Sequence, residues 1–212
     1  MRRALTDRGL TSGARALARA DPHLARVMAR HGTPPLWGRE PGFATLVQII
    51  LEQQVSLASG RAAFGRLERT AGAVTPVRIA RLNETRLRSA GLTRQKAAYV
   101  LALARAIVRR EFSVRALASF DDERAHAELT KLKGIGPWSA DIYLLMALRR
   151  PDVWPRHDLA LAAAMREVKR LRALPSAERQ LAIAESWRPW RAVAARVLWH
   201  HYLSTPRRRM RS

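Results

Sequence analysis

Apolar residues recur at spacings of three and four along most of the chain, and strict alternation is nearly absent. Phe43, Leu46, Val47 and Ile50 fall on one helical face. Tyr99, Leu103 and Ile107 do the same in a segment opening near Thr93, and Leu161, Met165 and Val168 repeat the pattern. Arg166, Lys169 and Arg170 are left for the wet side of that last helix. Boundary residues agree with the periodicity. Pro34-Pro35 separates a short N-terminal helix from one opening at Pro41, and Thr75-Pro76 reads as a cap followed by the first helical residue. Ser119, three residues before Asp122, has a capping-box-like spacing. Pro151 and Pro155 bracket a loop, and Pro175-Ser176 divides two later helices. The pattern predicts an all-α chain of about ten helices, whose stripes must bury helix against helix.

Charge then narrows the partner. The 212 residues carry a net charge of +22, while 48% hydrophobic content is too much for a disordered polycation. Such a surplus draws in a polyanion and repels a second copy of the chain, so a monomer on nucleic acid is expected. A membrane-surface role fits less well, because the arginines are not collected on one face of a terminal amphipathic helix. The most hydrophobic segment, residues 143–148, is only core-sized, and the N-terminus MRRALTDRGL lacks an apolar signal core. A soluble cytoplasmic protein is expected. The absence of cysteine rules out disulfides, thiol catalysis and cysteine-bound metal. The six histidines form no recognised ligand spacing.

Two places carry candidate chemistry. Leu132-Lys133-Gly134-Ile135-Gly136-Pro137-Trp138-Ser139-Ala140 joins two helical patterns. Two glycines one residue apart allow a tight reversal, with Ile135 plugged into the helix pair and the amides of the second helix facing outward. Such a helix–hairpin–helix grips a DNA backbone through phosphate without reading sequence. An ordinary helix–helix turn satisfies the same bare G-x-G pattern. Asp158 lies 22 residues beyond Gly136, at the start of the next helix. It fits a plain N-cap, and it also fits an ionised group that stabilises a positively charged sugar-like transition state.

Together these residues resemble the helix–hairpin–helix DNA glycosylase superfamily, and within it DNA-3-methyladenine glycosylase II. The likeness rests on Ile49-Ile50-Leu51-Glu52-Gln53-Gln54-Val55-Ser56, on Gly91-Leu92-Thr93-Arg94-Gln95-Lys96-Ala97, on the 132–140 hairpin, and on Trp187-Arg188-Pro189-Trp190-Arg191 through Leu198-Trp199. It covers about residues 10–203, with Asp158 at the spacing of the family's essential aspartate. The glutamine block is reached by residue 53, so the extra N-terminal β-rich domain of the classical bacterial member is not expected here.

The resemblance implies a two-lobed helical fold, with 1–36 and 156–212 forming one lobe and 37–155 the other, and a cleft between them. It implies excision of an alkylated purine such as 3-methyladenine, flipped out of double-stranded DNA in the bacterial cytoplasm. Asp158 is the implied catalytic carboxylate, and Trp138, Trp199 and Ile142 line the implied base pocket. Ile142 replaces a pocket tyrosine of the best-known relatives, and Tyr143 is one residue off. Gln53, Gln54, Lys133, Gly134, Gly136, Ser139, Arg94 and Lys96 are the implied DNA contacts, with Gln54 filling the gap left by the flipped base. Strand-cleaving relatives carry a lysine two residues after the second hairpin glycine. Trp138 stands there, so hydrolysis without Schiff-base chemistry is expected. No cofactor is required on this reading, although a Na+ or K+ ion is implied on the backbone carbonyls of Thr130, Leu132 and Ile135.

Trp187 and Trp190 read as structural, with Arg188 and Arg191 nearer the surface; Trp37 and Trp154 read as packing or loop anchors, and His157 as a solvated loop histidine. Two roles fit the basic tail Arg207–Arg211: a longer DNA footprint, or nonspecific affinity alone. Two other functions fit the same residues: a glycosylase for uracil or hypoxanthine, and a noncatalytic DNA-binding or lesion-recognition protein.

Overall fold

The computed structural model of the protein describes residues 4–205, so the basic run 206–211 lies outside the described residues. α1 (Asp7–Ala20) and α2 (Pro22–His31) open the chain. α3 (Phe43–Glu52), α4 (Leu57–Ala71), α5 (Pro76–Ala80), α6 (Glu84–Ser89), α7 (Arg94–Val108), α8 (Asp122–Thr130) and α9 (Pro137–Met146) follow. A 3₁₀ turn covers Arg115–Ser119, and α10 (Leu159–Val168), α11 (Ala177–Glu185) and α12 (Arg191–Ser204) come last. Among the described residues there is no strand, and no helix is long and apolar enough to cross a membrane.

Most helix starts are set by local chemistry. Thr75 accepts from the Arg78 N–H, Thr93 from the Lys96 N–H, and Ser176 from the Arg179 N–H, each satisfying a first-turn donor that has no helical partner. Two starts differ from the sequence reading. α3 begins at Phe43 rather than Pro41, and the Gly42 N–H before it donates to the Tyr143 hydroxyl at 3.0 Å. α8 is capped by Asp121 rather than Ser119, because Ser119 ends the 3₁₀ turn and its hydroxyl donates to the Ala116 carbonyl.

The helices fall into two units. One spans Gly38–Leu148 and holds α3 to α9. Its centre is α3, packed on α4, α7 and α9 and buried almost all round, with Leu46, Val47, Ile49 and Ile50 fully enclosed. On α7 the buried stripe is Ala97, Val100, Leu101, Leu103 and Ala104, whereas Tyr99 and Ile107 are only half-buried. Tyr143 is fully buried, which raises its hydroxyl pKa to about 12 even though the hydrogen bond from Gly42 opposes the shift.

Among the described residues, the other unit takes residues 4–37 together with 149–205. α12 is its core helix, packed on α1, α2, α10 and α11. Arg196 lies fully buried on it, with Nε donating to the Leu36 carbonyl at 2.7 Å and Nη1 to the Ala192 carbonyl at 3.0 Å. Burial, with Arg149 nearby, pushes its guanidinium down to about 10. Asp21 caps α2 and also accepts from Lys169 Nζ and Trp187 Nε1, both at 2.8 Å. Burial works to raise the Asp21 carboxyl, but those hydrogen bonds outweigh it and hold it below the usual aspartate range.

The loop 149–155 groups with this second unit, whereas the resemblance implied a boundary after residue 155. The Leu5 N–H donates to the Arg149 carbonyl, the Ala192 N–H donates to the Pro151 carbonyl, and Trp154 lies 5.6 Å from Trp187, ring centre to ring centre.

Candidate active site

Asp158 ends a loop that is fixed at several points. Asp152, 6% exposed, accepts from Arg188 Nη1 at 2.8 Å and from Arg191 Nε and Nη2 at 3.0 and 3.1 Å. Arg191 is therefore committed to this loop rather than to the surface. Its two donors meet one carboxylate in the planar arrangement that suits guanidinium. His157, exposed and at φ 62, makes the left-handed turn that delivers the next residue to the head of α10.

Asp158 itself is 8% exposed and caps α10. Its Oδ1 accepts from the Leu161 N–H at 2.8 Å and from the Trp199 indole N–H at 3.3 Å. The two N–H donors fix the orientation of the carboxylate at the head of the helix. Trp199, on α12 and 8% exposed, was expected in a base pocket; the structure ties its edge to the carboxylate. Leu159, the first residue of α10, is 82% exposed beside this buried acid. Trp138, half-buried, and Ile142, buried, stand on α9 and belong to the other unit.

The glycine turn links α8 to α9. The Ile135 side chain is 3% exposed and its N–H donates to the Leu132 carbonyl at 3.0 Å. Gly134 sits at φ +90, and a Cβ there would come within 2.3 Å of the Tyr99 ring. Gly136 differs: its φ is −86, and a Cβ would meet nothing within 4 Å. Among the described residues, no neighbour explains a glycine at 136. It caps α9 without a side-chain hydrogen bond and stands open to solvent beside exposed Lys133.

Three residues read from the sequence as DNA contacts make hydrogen bonds within the chain. Gln53 Nε2 donates to the Gly134 carbonyl at 2.8 Å and to Ser139 Oγ at 2.9 Å. Ser139, 2% exposed, thus has its hydroxyl turned to Gln53. Lys96 Nζ donates to the Leu51 and Gln53 carbonyls at 2.8 and 2.9 Å, closing the C-terminus of α3. Arg94 remains outward, its side chain 84% exposed and 3.6 Å from Glu84. Gln54 is exposed at φ 55, next to exposed Val55 and Leu57. A non-glycine residue in that conformation is held there at a cost of about 1–2 kcal/mol.

The proposed cation ligands fit an alkali ion by donor type. Thr130, Leu132 and Ile135 offer neutral carbonyl oxygens, and the Leu132 carbonyl keeps a second lone pair beside the one given to Ile135. Among the described residues no group of three or more His, Asp or Glu side chains is arranged to hold a metal ion.

Comparison with known proteins adds the family. A family described as HhH-GPD superfamily base excision DNA repair protein matches residues 47–191. DNA-3-methyladenine glycosylase of Bacillus subtilis is 32% identical over 122 residues, which are 58% of this chain and 40% of that protein. The chain thus spans less than half the length of that relative. The structure of Schizosaccharomyces pombe 3-methyladenine DNA glycosylase (Mag1) with abasic DNA superposes with a TM-score of 0.76 at 25% identity, covering 85% of this chain and 95% of that one. DNA-3-methyladenine glycosidase of Bacillus halodurans gives 0.76 at 25% identity, over 96% of this chain and 94% of its own.

Proposed function

Because the chain belongs to the HhH-GPD superfamily of base excision DNA repair proteins, we propose that it hydrolyses the N-glycosidic bond of alkylated purines such as 3-methyladenine in double-stranded DNA. The observation that carries this reading is the Asp158 carboxylate, almost buried, with Leu161 and Trp199 both donating to Oδ1. A fixed negative charge on a chain of net charge +22 suits the positive sugar that forms as the bond to the base breaks.

In that step the bonding pair leaves with the base, C1′ becomes oxocarbenium-like, and a water oxygen then bonds to C1′ and passes one proton to solvent. An alkylated purine is already cationic, so it leaves without acid catalysis. The ring of Trp199, in the same unit as Asp158, suits recognition of a positive base. Gly136, whose missing side chain no internal contact requires, lets a phosphate approach the turn between α8 and α9, with Lys133 adding charge. Thr130, Leu132 and Ile135 are the carbonyls that would hold a monovalent ion there, which would supply positive charge to a phosphate. Trp138 replaces the lysine of strand-cleaving relatives, which supports hydrolysis without strand scission.

The test is base release from a methylated duplex by wild type and Asp158→Asn side by side. Wild type releases free base and leaves an intact abasic strand, whereas the variant loses release by a factor of about a thousand or more and keeps DNA binding. Equal release by both sinks the proposal. Wild-type strand scission that borohydride traps would sink the hydrolytic part alone.

A further inference from the structure

The C-terminus of α3 is held unusually. Its last carbonyls have no intrahelical donors, and no glycine follows to turn the chain. Instead Lys96, two residues into the first turn of α7, sends its ammonium to the Leu51 and Gln53 carbonyls. The chain leaves the helix with Gln53 extended and Gln54 left-handed at φ 55, which puts Gln54 in solvent. One residue earlier, Glu52 is buried and paired with Arg39 at 2.9 Å, so the break is anchored on both sides.

The same point is tied to the glycine turn. The amide of Gln53 spends both its donors there, on the Gly134 carbonyl and on Ser139 Oγ. Tyr99, one helical turn after Lys96, presses its ring against Gly134, and its hydroxyl accepts from Gln95 at 2.7 Å. The start of α7 is therefore a spacer with Lys96 on the Gln54 loop and Tyr99 on the turn.

We propose, building on the base-excision reading above, that Lys96 and Gln53 are positioning residues. They lock the exposed Gln54 and the 132–136 turn in one register, so that backbone grip and base displacement fall on the same stretch of duplex. Neither side chain needs to touch DNA for this. Burial disfavours the charged form of Lys96 and lowers its pKa, as expected for an ammonium kept for internal carbonyls rather than for phosphate.

The test compares affinity for undamaged duplex with affinity for a duplex carrying a reduced abasic analogue, with 2-aminopurine opposite it to report unstacking. Neither measurement requires base release, so a wild type that discriminates the abasic duplex yet releases no base would fail the functional reading and leave this one intact. Lys96→Met and Gln53→Met each weaken abasic binding about tenfold and suppress the fluorescence change, with undamaged-duplex affinity within about twofold. Lys96→Arg, which keeps donors, recovers most of both. In a Gln54→Ala background the Lys96→Met effect shrinks to about twofold or less, because the residue it positions is gone. A full additional loss in that background, or unchanged abasic preference in both methionine variants, overturns the proposal. If Lys96→Met fails to fold by circular dichroism, Gln53→Met carries the same cycle. Failure of both to fold would assign the pair to plain core stability and overturn it equally.

Discussion

Trp199→Phe isolates one hydrogen bond at the proposed catalytic carboxylate. The substitution keeps an aromatic face but removes the indole N–H that reaches Asp158 Oδ1 at 3.3 Å. A hydrogen bond to a charged acceptor is worth about 1.5–3 kcal/mol, and this separation is at the long end, so about 1.4 kcal/mol is a fair figure. If the bond orients the carboxylate toward the reacting sugar, that loss appears in the chemical step as about tenfold. The assay is single-turnover base release from a methylated duplex with enzyme in excess, beside a urea denaturation curve for each variant. Stability falls too, since a smaller ring leaves space in a site only 8% exposed, but full occupancy of the folded state is kept during the assay. The same change in an Asp158→Asn background adds little, because the charge that the N–H serves is gone. A Trp199→Phe rate within about twofold of wild type refutes the orienting role, and so does an undiminished tenfold loss in the Asp158→Asn background.

Other variants separate fold from contact. Gly134→Ala is strained by its φ of +90 and collides with Tyr99, so its midpoint in urea drops; Gly136→Ala has open space and unfolds like wild type, while its affinity for duplex DNA falls. Arg191→Met leaves the buried Asp152 without its main partner and costs about 3 kcal/mol by chemical denaturation, with base release falling as the loop before Asp158 loosens. Asp21→Asn lowers stability at pH 7 by about 1–3 kcal/mol. Because the fold holds the Asp21 carboxyl below its unfolded value, its contribution is fully present above about pH 4 and fades as pH falls through the lower folded value, so the wild-type and variant curves converge in acid.

Local chemistry made much of this legible in the sequence. Thr75, Thr93 and Ser176 cap helices through donors three residues away, and Asp158 does the same, so each was visible within one turn of chain. Partners distant in the chain were not. The bonds from Lys96 span 45 and 43 residues, those from Gln53 span 81 and 86, and the Trp187–Asp21 bond spans 166. A family motif marks such residues as placed for a purpose but does not say whether a lysine faces phosphate or a carbonyl of its own chain. The stripe on α7 was misjudged for a related reason. Tyr99 looks like core by spacing, yet its ring is half-buried against the bare backbone of Gly134. Arg191 shows the same limit, because no rule of composition pairs it with Asp152.

The order in which the ribosome delivers these segments matters for the acid. The unit that carries the glycine turn, Gly38–Leu148, is continuous, so every residue it needs has been synthesised before residue 158 is added. The unit around Asp158 must recruit the first two helices, made long before, and must then wait for α12 to supply Trp199. A nascent chain therefore acquires its grip first and its settled carboxylate last.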